Sequence, residues 1–270
     1  MTISRGLKAV LAAVTGVVVV VIYLPLALVM LNSFNASRSF AWPPHQLTTR
    51  WWQAAARSSG ARHGLLVSVE VALLATVVAL LLGTLAALAL QRTHFFGRNA
   101  VSLVIILPIA LPGIVTGIAL NNAFRTMFGW ELGFLTIVVA HATFCIVTVF
   151  NNVQARLQRL GGNLEQASMD LGAGVLTTFR LVTFPMLRSA LLAGALLSFG
   201  LSFDEIVVTT FTAGATEQTL PIWIFQNLFR PNQAPVVNVV AAVLVLLSAV
   251  PIYLAQRLSG GAGERVAGAR

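Results

Sequence analysis

Six apolar runs divide the chain, at residues 7–31, 65–90, 100–120, 134–153, 190–211 and 236–255. Each is 20 to 26 residues long, and about 20 residues of helix cross a hydrocarbon core of about 30 Å. Charge is nearly absent from them: Lys8 stands near the start of the first, Glu70 interrupts the second, and Asp204 and Glu205 lie in the fifth. The first run is longer than the apolar part of a typical signal peptide, and no small-residue cleavage pattern comes after it. It is therefore expected to stay as a span. The pattern predicts an all-α integral membrane protein with six transmembrane helices.

Two connections are long enough to fold on their own. One runs from 154 to 189 between the fourth and fifth runs. The other, 213–235, contains Thr219-Leu220-Pro221-Ile222-Trp223-Ile224-Phe225. A stretch so short and apolar predicts an interfacial helix in the outer headgroup layer, with Trp223 as its anchor. Trp42, Trp51, Trp52 and Trp130 fall in other predicted outer loops, which fits an aromatic belt.

Composition agrees and narrows the class. Hydrophobic residues make up 57% of the chain and charged ones 9%, against about 25% charged in an ordinary soluble domain. The mean hydropathy is +0.87. Both a soluble globular domain and a disordered chain are excluded. The single cysteine, Cys145, rules out an intramolecular disulfide. A net charge of +9 would fit nucleic acid only if the basic residues shared a soluble face; here they fall between the apolar runs, so no nucleic-acid partner is expected.

With the N-terminus inside, eleven of the 17 basic residues occupy inner segments and six occupy outer ones. That excess puts both termini, and residues 154–188, in the cytoplasm. The first outer loop, with Arg38, Arg50, Arg57 and Arg62, pulls mildly the other way. The expected organisation is a first span and outer loop over 1–62, a membrane core over 63–256 and a cytoplasmic tail over 257–270.

The inner connection carries the most specific pattern. Asn163 is a candidate helix cap, with Gln166 three places on to return the bond. Glu165 falls in the first turn, where negative charge suits the helix dipole. Leu164, Ala167 or Ser168, Leu171 and Val175 make one apolar stripe, and Gly172 stands where the helix should stop. By itself such a helix either rests on the membrane or docks to a partner.

The same residues resemble the EAA signature of bacterial ABC-importer permeases: E-A-A, three residues, G, nine residues, then I-x-L-P. Here it reads Gln166-Ala167-Ser168, Met169-Asp170-Leu171, Gly172, nine residues, and Val182-Thr183-Phe184-Pro185. Gln replaces Glu, Ser replaces Ala, Val replaces Ile and Phe replaces Leu. Leu107-Pro108-Ile109-Ala110-Leu111-Pro112-Gly113, Ser202-Phe203-Asp204-Glu205 and Thr219-Leu220-Pro221-Ile222-Trp223 are similar to spermidine/putrescine-type permeases, specifically their second membrane subunit.

The resemblance implies a type I importer permease with the MetI-like fold, in the bacterial inner membrane. It implies as partners a second permease, two copies of a cytoplasmic ATPase and an extracytoplasmic binding protein. Residues 160–185 would form the coupling loop, with Glu165, Gln166, Ala167, Ser168, Asp170 and Gly172 at the ATPase contact. The chain lacks a G-x-x-x-x-G-K-[ST] loop, so ATP and Mg would belong to the partner and no catalytic residue is expected here.

Inside the apolar runs, ionisable groups are functional candidates because their burial is costly. Asp204, Glu205 and Glu70 are placed at similar depth from the outer side, where carboxylates suit a cationic solute. The alternative is structural: the pair bonded to helix ends or to Ser202 and Thr209, and Glu70 reaching Arg62 or His63. One helix would point Asp204 and Glu205 about 100° apart, so one of the two would face the path. Pro108, Pro112 and Gly113, with Gly117, mark either a hinge beside the path or a packing kink. His141 and Cys145, four apart, are two potential metal ligands without a third, so small polar packing is expected rather than a metal site.

The functional expectation is a permease subunit of an ATP-driven importer for polyamines, or for another small amino or organic solute. The rival is an ion-coupled secondary transporter or channel, which would leave the coupling loop unexplained.

Overall fold

The computed structural model describes residues 4–38, 43–93, 95–230 and 232–267; Trp42 lies outside them. Among the described residues the chain is helical, apart from one isolated antiparallel bridge between Asn35 and Leu47. The helices are α1 (Arg5–Asn32), α2 (Arg50–Arg57), α3 (Ser59–Arg92), α4 (Arg98–Ala110), α5 (Gly113–Asn122), α6 (Phe134–Leu160), α7 (Asn163–Asp170), α8 (Val175–Thr178), α9 (Phe184–Phe203), α10 (Val207–Thr212), α11 (Leu220–Asn227) and α12 (Ala234–Ala267). Two π-helical turns extend this set, Ala123–Met127 after α5 and Phe179–Thr183 between α8 and α9.

Five helical stretches are long and apolar enough to cross a membrane, and the pair Arg98–Ala110 and Gly113–Met127, bent by 106°, passes the same test only when its two helices are taken together. The expected single run over 100–120 is thus corrected to two helices with a sharp bend between them. The break sits at Leu111-Pro112 and not at Pro108, which stays inside α4. Proline pushes the residue before it out of the helical region, and Leu111 is extended at φ −82°, ψ 143°. Helix resumes at once, because the carbonyl of Pro112 accepts from Val115 and Thr116 N–H at 2.9 and 3.1 Å.

The fifth run is also corrected. The helix runs from Val175 to Phe203 through the π turn, stops at Asp204, and starts again as α10 at Val207.

The chain divides into two compact units. The first is Met1–Arg62 with Trp223–Leu247. Here the polypeptide after α1 folds back on itself: Ala36 N–H donates to Gln46 O at 3.0 Å and Thr48 N–H to Phe34 O at 2.7 Å. Trp51 Nε1 donates to Asn35 O at 3.0 Å, Arg50 lies 4.2 Å over the Trp51 ring, and Trp52 stacks on Phe34 at 5.2 Å. These two indoles hold the loop together.

Trp223 is buried, and a Cβ at Gly60 would stand 2.6 Å from its Nε1. The expected headgroup anchor is therefore a packed residue, admitted because Gly60 has no side chain.

The second unit is His63–Ile222 with Ser248–Arg270. Its centre is α6, whose Val149, Phe150 and Val153 are fully buried with Ala79 and Ala87 of α3 and Leu187 of α9. Ile105 and Ile106 of α4 pack against this cluster. A second cluster joins Val67 and Val71 of α3 to Ile137 and Val138 of α6 and to Ala213. In the third, Phe124, Ala140 and Val208 bring the π turn, α6 and α10 together. Leu220 N–H donates to Ser68 Oγ at 2.8 Å, and Leu220 and Ile222 are buried. The start of α11 is thus embedded in protein.

Candidate functional site

The segment from Gly161 to Thr183 folds as a helix-turn-helix. Its first helix, α7, begins at Asn163, and the cap position is Gly162, with no side-chain capping bond. Asn163 is therefore the first helical residue and not the expected cap. The turn is as expected at Gly172, which has φ +87°. Gly172 N–H donates to Met169 O at 2.9 Å and Ala173 N–H to Ser168 O at 3.1 Å. Those two bonds make a Schellman end, which needs one residue in the left-handed region. Nothing lies within 4 Å of a Cβ built at Gly172, so backbone conformation rather than crowding selects glycine there.

Across the turn, Ser168 Oγ and Thr178 Oγ1 are 3.0 Å apart. Outside, apolar side chains are left bare: Leu171 is 90% and Leu176 80% exposed, and Leu164 and Val175 are also exposed. Gln166, Ala167 and Asp170 are exposed as well.

Glu165 is turned inward. Its Oε1 accepts from Arg92 Nη2 at 2.5 Å and from the Thr183 hydroxyl at 2.5 Å, and the same Nη2 donates to Thr183 Oγ1 at 3.2 Å. Arg92 ends α3 and Thr183 ends the π turn. Nothing in the sequence pairs residues 73 apart; the only signal for Arg92 is a cation at a span end. Nearby, Arg156 Nε donates to Met186 O at 3.0 Å, tying the end of α6 to the start of α9.

A second polar centre sits inside the helices. His141 Nδ1 is 2.7 Å from Ser202 Oγ, and Nε2 is 2.8 Å from Thr209 Oγ1. Thr209 Oγ1 donates to Glu205 O at 2.9 Å, so Nε2–H is the donor to Thr209 and Nδ1 of the neutral ring accepts from Ser202. The buried His141 therefore braces α9 and α10 on both sides of their break. Cys145 Sγ donates to Ser198 O at 3.4 Å, and Ser198 Oγ returns a bond to Cys145 O at 3.3 Å. Both members of the potential ligand pair are committed to α9 or α10.

At that break Asp204 and Glu205 part company. Glu205 Oε1 accepts from Val208 N–H at 2.9 Å and closes the start of α10. Asp204 caps the end of α9 and is exposed, with no bond to another side chain among the described residues. The expectation of one helix carrying both carboxylates is replaced by a kink carrying them. Glu70 is exposed on α3, and among the described residues no hydrogen bond or ion pair links it to the pair or to His63.

Of the hinge candidates, Pro112 and Gly113 stand at the bend itself. Gly117 fits where α5 crosses α10: a Cβ there would stand 2.7 Å from Phe211 Cδ2. Asn121 Nδ2 donates to Phe211 O at 2.6 Å, so α5 and α10 lean on each other.

Comparison with known proteins agrees with this architecture. Residues 79–260 match the family described as binding-protein-dependent transport system inner membrane component. The chain is 34% identical over 231 residues to the putrescine transport system permease protein PotI of Escherichia coli, covering 83% of this chain and 81% of that one. It is 31% identical over 249 residues to the spermidine/putrescine transport system permease protein PotC of Haemophilus influenzae, covering 90% and 93%.

Among solved structures, a bacterial ABC transporter involved in the import of the acidic polysaccharide alginate superposes with a TM-score of 0.72 at 15% identity, covering 95% of this chain and 99% of that one. The MetNI methionine ABC transporter gives 0.59 at 18%, covering 78% and 97%. At such identity these two speak for the fold alone. The chain belongs to the inner membrane permeases of binding-protein-dependent ABC importers.

Proposed function

We propose that this chain is the second permease of an ATP-driven polyamine importer. It would pair with a different permease, two copies of a cytoplasmic ATPase and an extracytoplasmic binding protein. Hydrolysis would take place on the ATPase, and this chain would contribute half of the path. The observation that carries the coupling role is the helix-turn-helix at residues 161–183. It leaves Leu171 and Leu176 bare at 90% and 80% exposure, and apolar surface left bare at a membrane boundary is costly unless a partner covers it. Support for the substrate class comes from the names of the relatives and from the Asp204 carboxylate at a break in the helices, which bonds no other side chain among the described residues and suits ammonium groups that have shed water.

Reconstitution with the cognate ATPase, binding protein and second permease tests this. ATP-dependent uptake of putrescine or spermidine is expected, and a tenfold excess of an anionic solute should not compete. Uptake of anions with exclusion of both amines would overturn the substrate assignment.

The orientation has its own test. A cysteine placed at Asn163, in a chain with Cys145 replaced, should resist an impermeant thiol reagent in intact cells and react in inverted vesicles. Labelling in intact cells would put the loop on the wrong side for an ATPase.

A further inference from the structure

We propose that Arg92 is a positioning residue for energy coupling, locking the helix-turn-helix to α3 through Glu165 and Thr183. The inference rests on the coupling role proposed for residues 161–183.

α7 has no buried residue. It therefore lacks the apolar footing that fixes most protein helices in place, and polar contacts must set its orientation. Beneath it lies a cavity of about 500 Å³, lined by Gln91, Arg92, Leu157, Glu165, Gln166 and Thr178 among others. Over that cavity the three side chains form a closed triangle: Arg92 Nη2 donates to Glu165 Oε1 and to Thr183 Oγ1, and Thr183 donates to the same Glu165 oxygen. A carboxylate held by a guanidinium and a hydroxyl is a stronger and more directional tie than a neutral pair. The side chains of Arg92 and Glu165 are 35% and 20% exposed, and Thr183 is buried, so water competes only in part.

The triangle changes what the loop can move. By sequence alone α7 is joined to α6 before it and to α8–α9 after it. Arg92 adds α3, so a push on α7 reaches both sides of the α6-centred core. Without the tie, α7 can shift over the cavity and leave α3 behind. The Arg92 stem also lines an apolar groove of about 900 Å³ between α3 and α9, beside Leu85, Leu88 and Phe184. Arg92→Met keeps that packing and removes only the charge.

The assay uses the complete transporter in proteoliposomes and reads uptake per ATP hydrolysed, together with complex yield. Arg92→Met and Glu165→Gln are each expected to lower that ratio about fivefold or more at normal yield, and the double variant should be no worse than either single, as for two ends of one interaction. Arg92→Lys should recover most of the ratio that Arg92→Met loses, whereas a purely steric role of the stem would make the two variants behave alike. Wild-type coupling in Arg92→Met, or losses that multiply in the double variant, would overturn the proposal. Spin labels at Gln91 and Asn163 give a second reading that needs no transport: the distance distribution should broaden in Glu165→Gln, and an unchanged narrow one would also overturn it.

Leu171→Asp distinguishes the docking role from the triangle. If it leaves ATPase association and uptake intact, the docking role itself fails and the triangle with it. If it uncouples while the Arg92 and Glu165 variants are silent, only the triangle fails.

Discussion

Replacing Gly172 by valine is expected to cut binding-protein-stimulated uptake by more than tenfold while the spans still insert and the subunits still assemble. The effect comes from φ +87° at this position. A residue with a Cβ costs roughly 1–2 kcal/mol in that region, and a β-branched one more. A Cβ built at this position meets nothing within 4 Å, so no steric clash reaches the membrane core. The strain is confined to the turn, where it opposes the bonds from Gly172 to Met169 and from Ala173 to Ser168.

Losing them releases the angle between α7 and α8, which sets where Leu171 and Val175 stand together. Asparagine tolerates the left-handed region best among residues with a side chain, so Gly172→Asn should keep much of the uptake. A graded series of glycine, asparagine, alanine and valine therefore distinguishes conformation from size. Wild-type uptake per ATP in the valine variant would show that the turn geometry does not matter for coupling.

The spans are legible because burial in lipid imposes one simple rule on about 20 consecutive residues. Where the rule is broken, the sequence is ambiguous. Pro108 and Pro112 look alike in a hydropathy pattern, yet α4 runs through the first and ends before the second. The difference lies on the C-terminal side of Pro112, where Gly113 and Gly117 let α5 turn away and lie against Val207 and Phe211 of α10. That contact is made between segments 90 residues apart, and no local signal reports it. The break after Phe203 is hidden for the opposite reason. Asp204 and Glu205 look like charges carried inside a helix, whereas Glu205 begins a new helix by accepting from Val208 N–H.

The helix-turn-helix is more readable than its attachments. Gly172 obeys the local rule of helix ends, whereas the expected stripe is cut by the turn: Leu164 lies on α7, Leu171 caps it and Val175 opens α8. Asn163 misleads, since Gly161 at φ +65° and Gly162 already turn the chain into α7. Glu165 groups with the docking residues because it sits beside the signature, yet its carboxylate is engaged by Arg92 and Thr183. Trp223 shows the same limit. Aromatic residues near a span end usually mark the interface, and only the packing of Trp223 on Gly60 makes it a core residue.

Asp204→Asn is expected to lower the maximal rate of polyamine uptake by at least about tenfold, because a hydrogen bond to a charged group is worth about 1.5–3 kcal/mol and every 1.4 kcal/mol is tenfold. Asn keeps the shape and can still cap α9, so the folded state should be unaffected. The external concentration giving half-maximal uptake should change little, since capture would take place on the binding protein. Glu205→Gln makes the contrast: its amide oxygen can still accept from Val208 N–H and hold the start of α10, so uptake should remain within about threefold of wild type. Glu205→Ala removes the acceptor and should lower complex yield instead. Uptake assays with purified complexes of equal yield decide the matter. Wild-type uptake in Asp204→Asn would remove the carboxylate from the path, and a larger loss in Glu205→Gln than in Asp204→Asn would move the solute contact to the neighbouring residue.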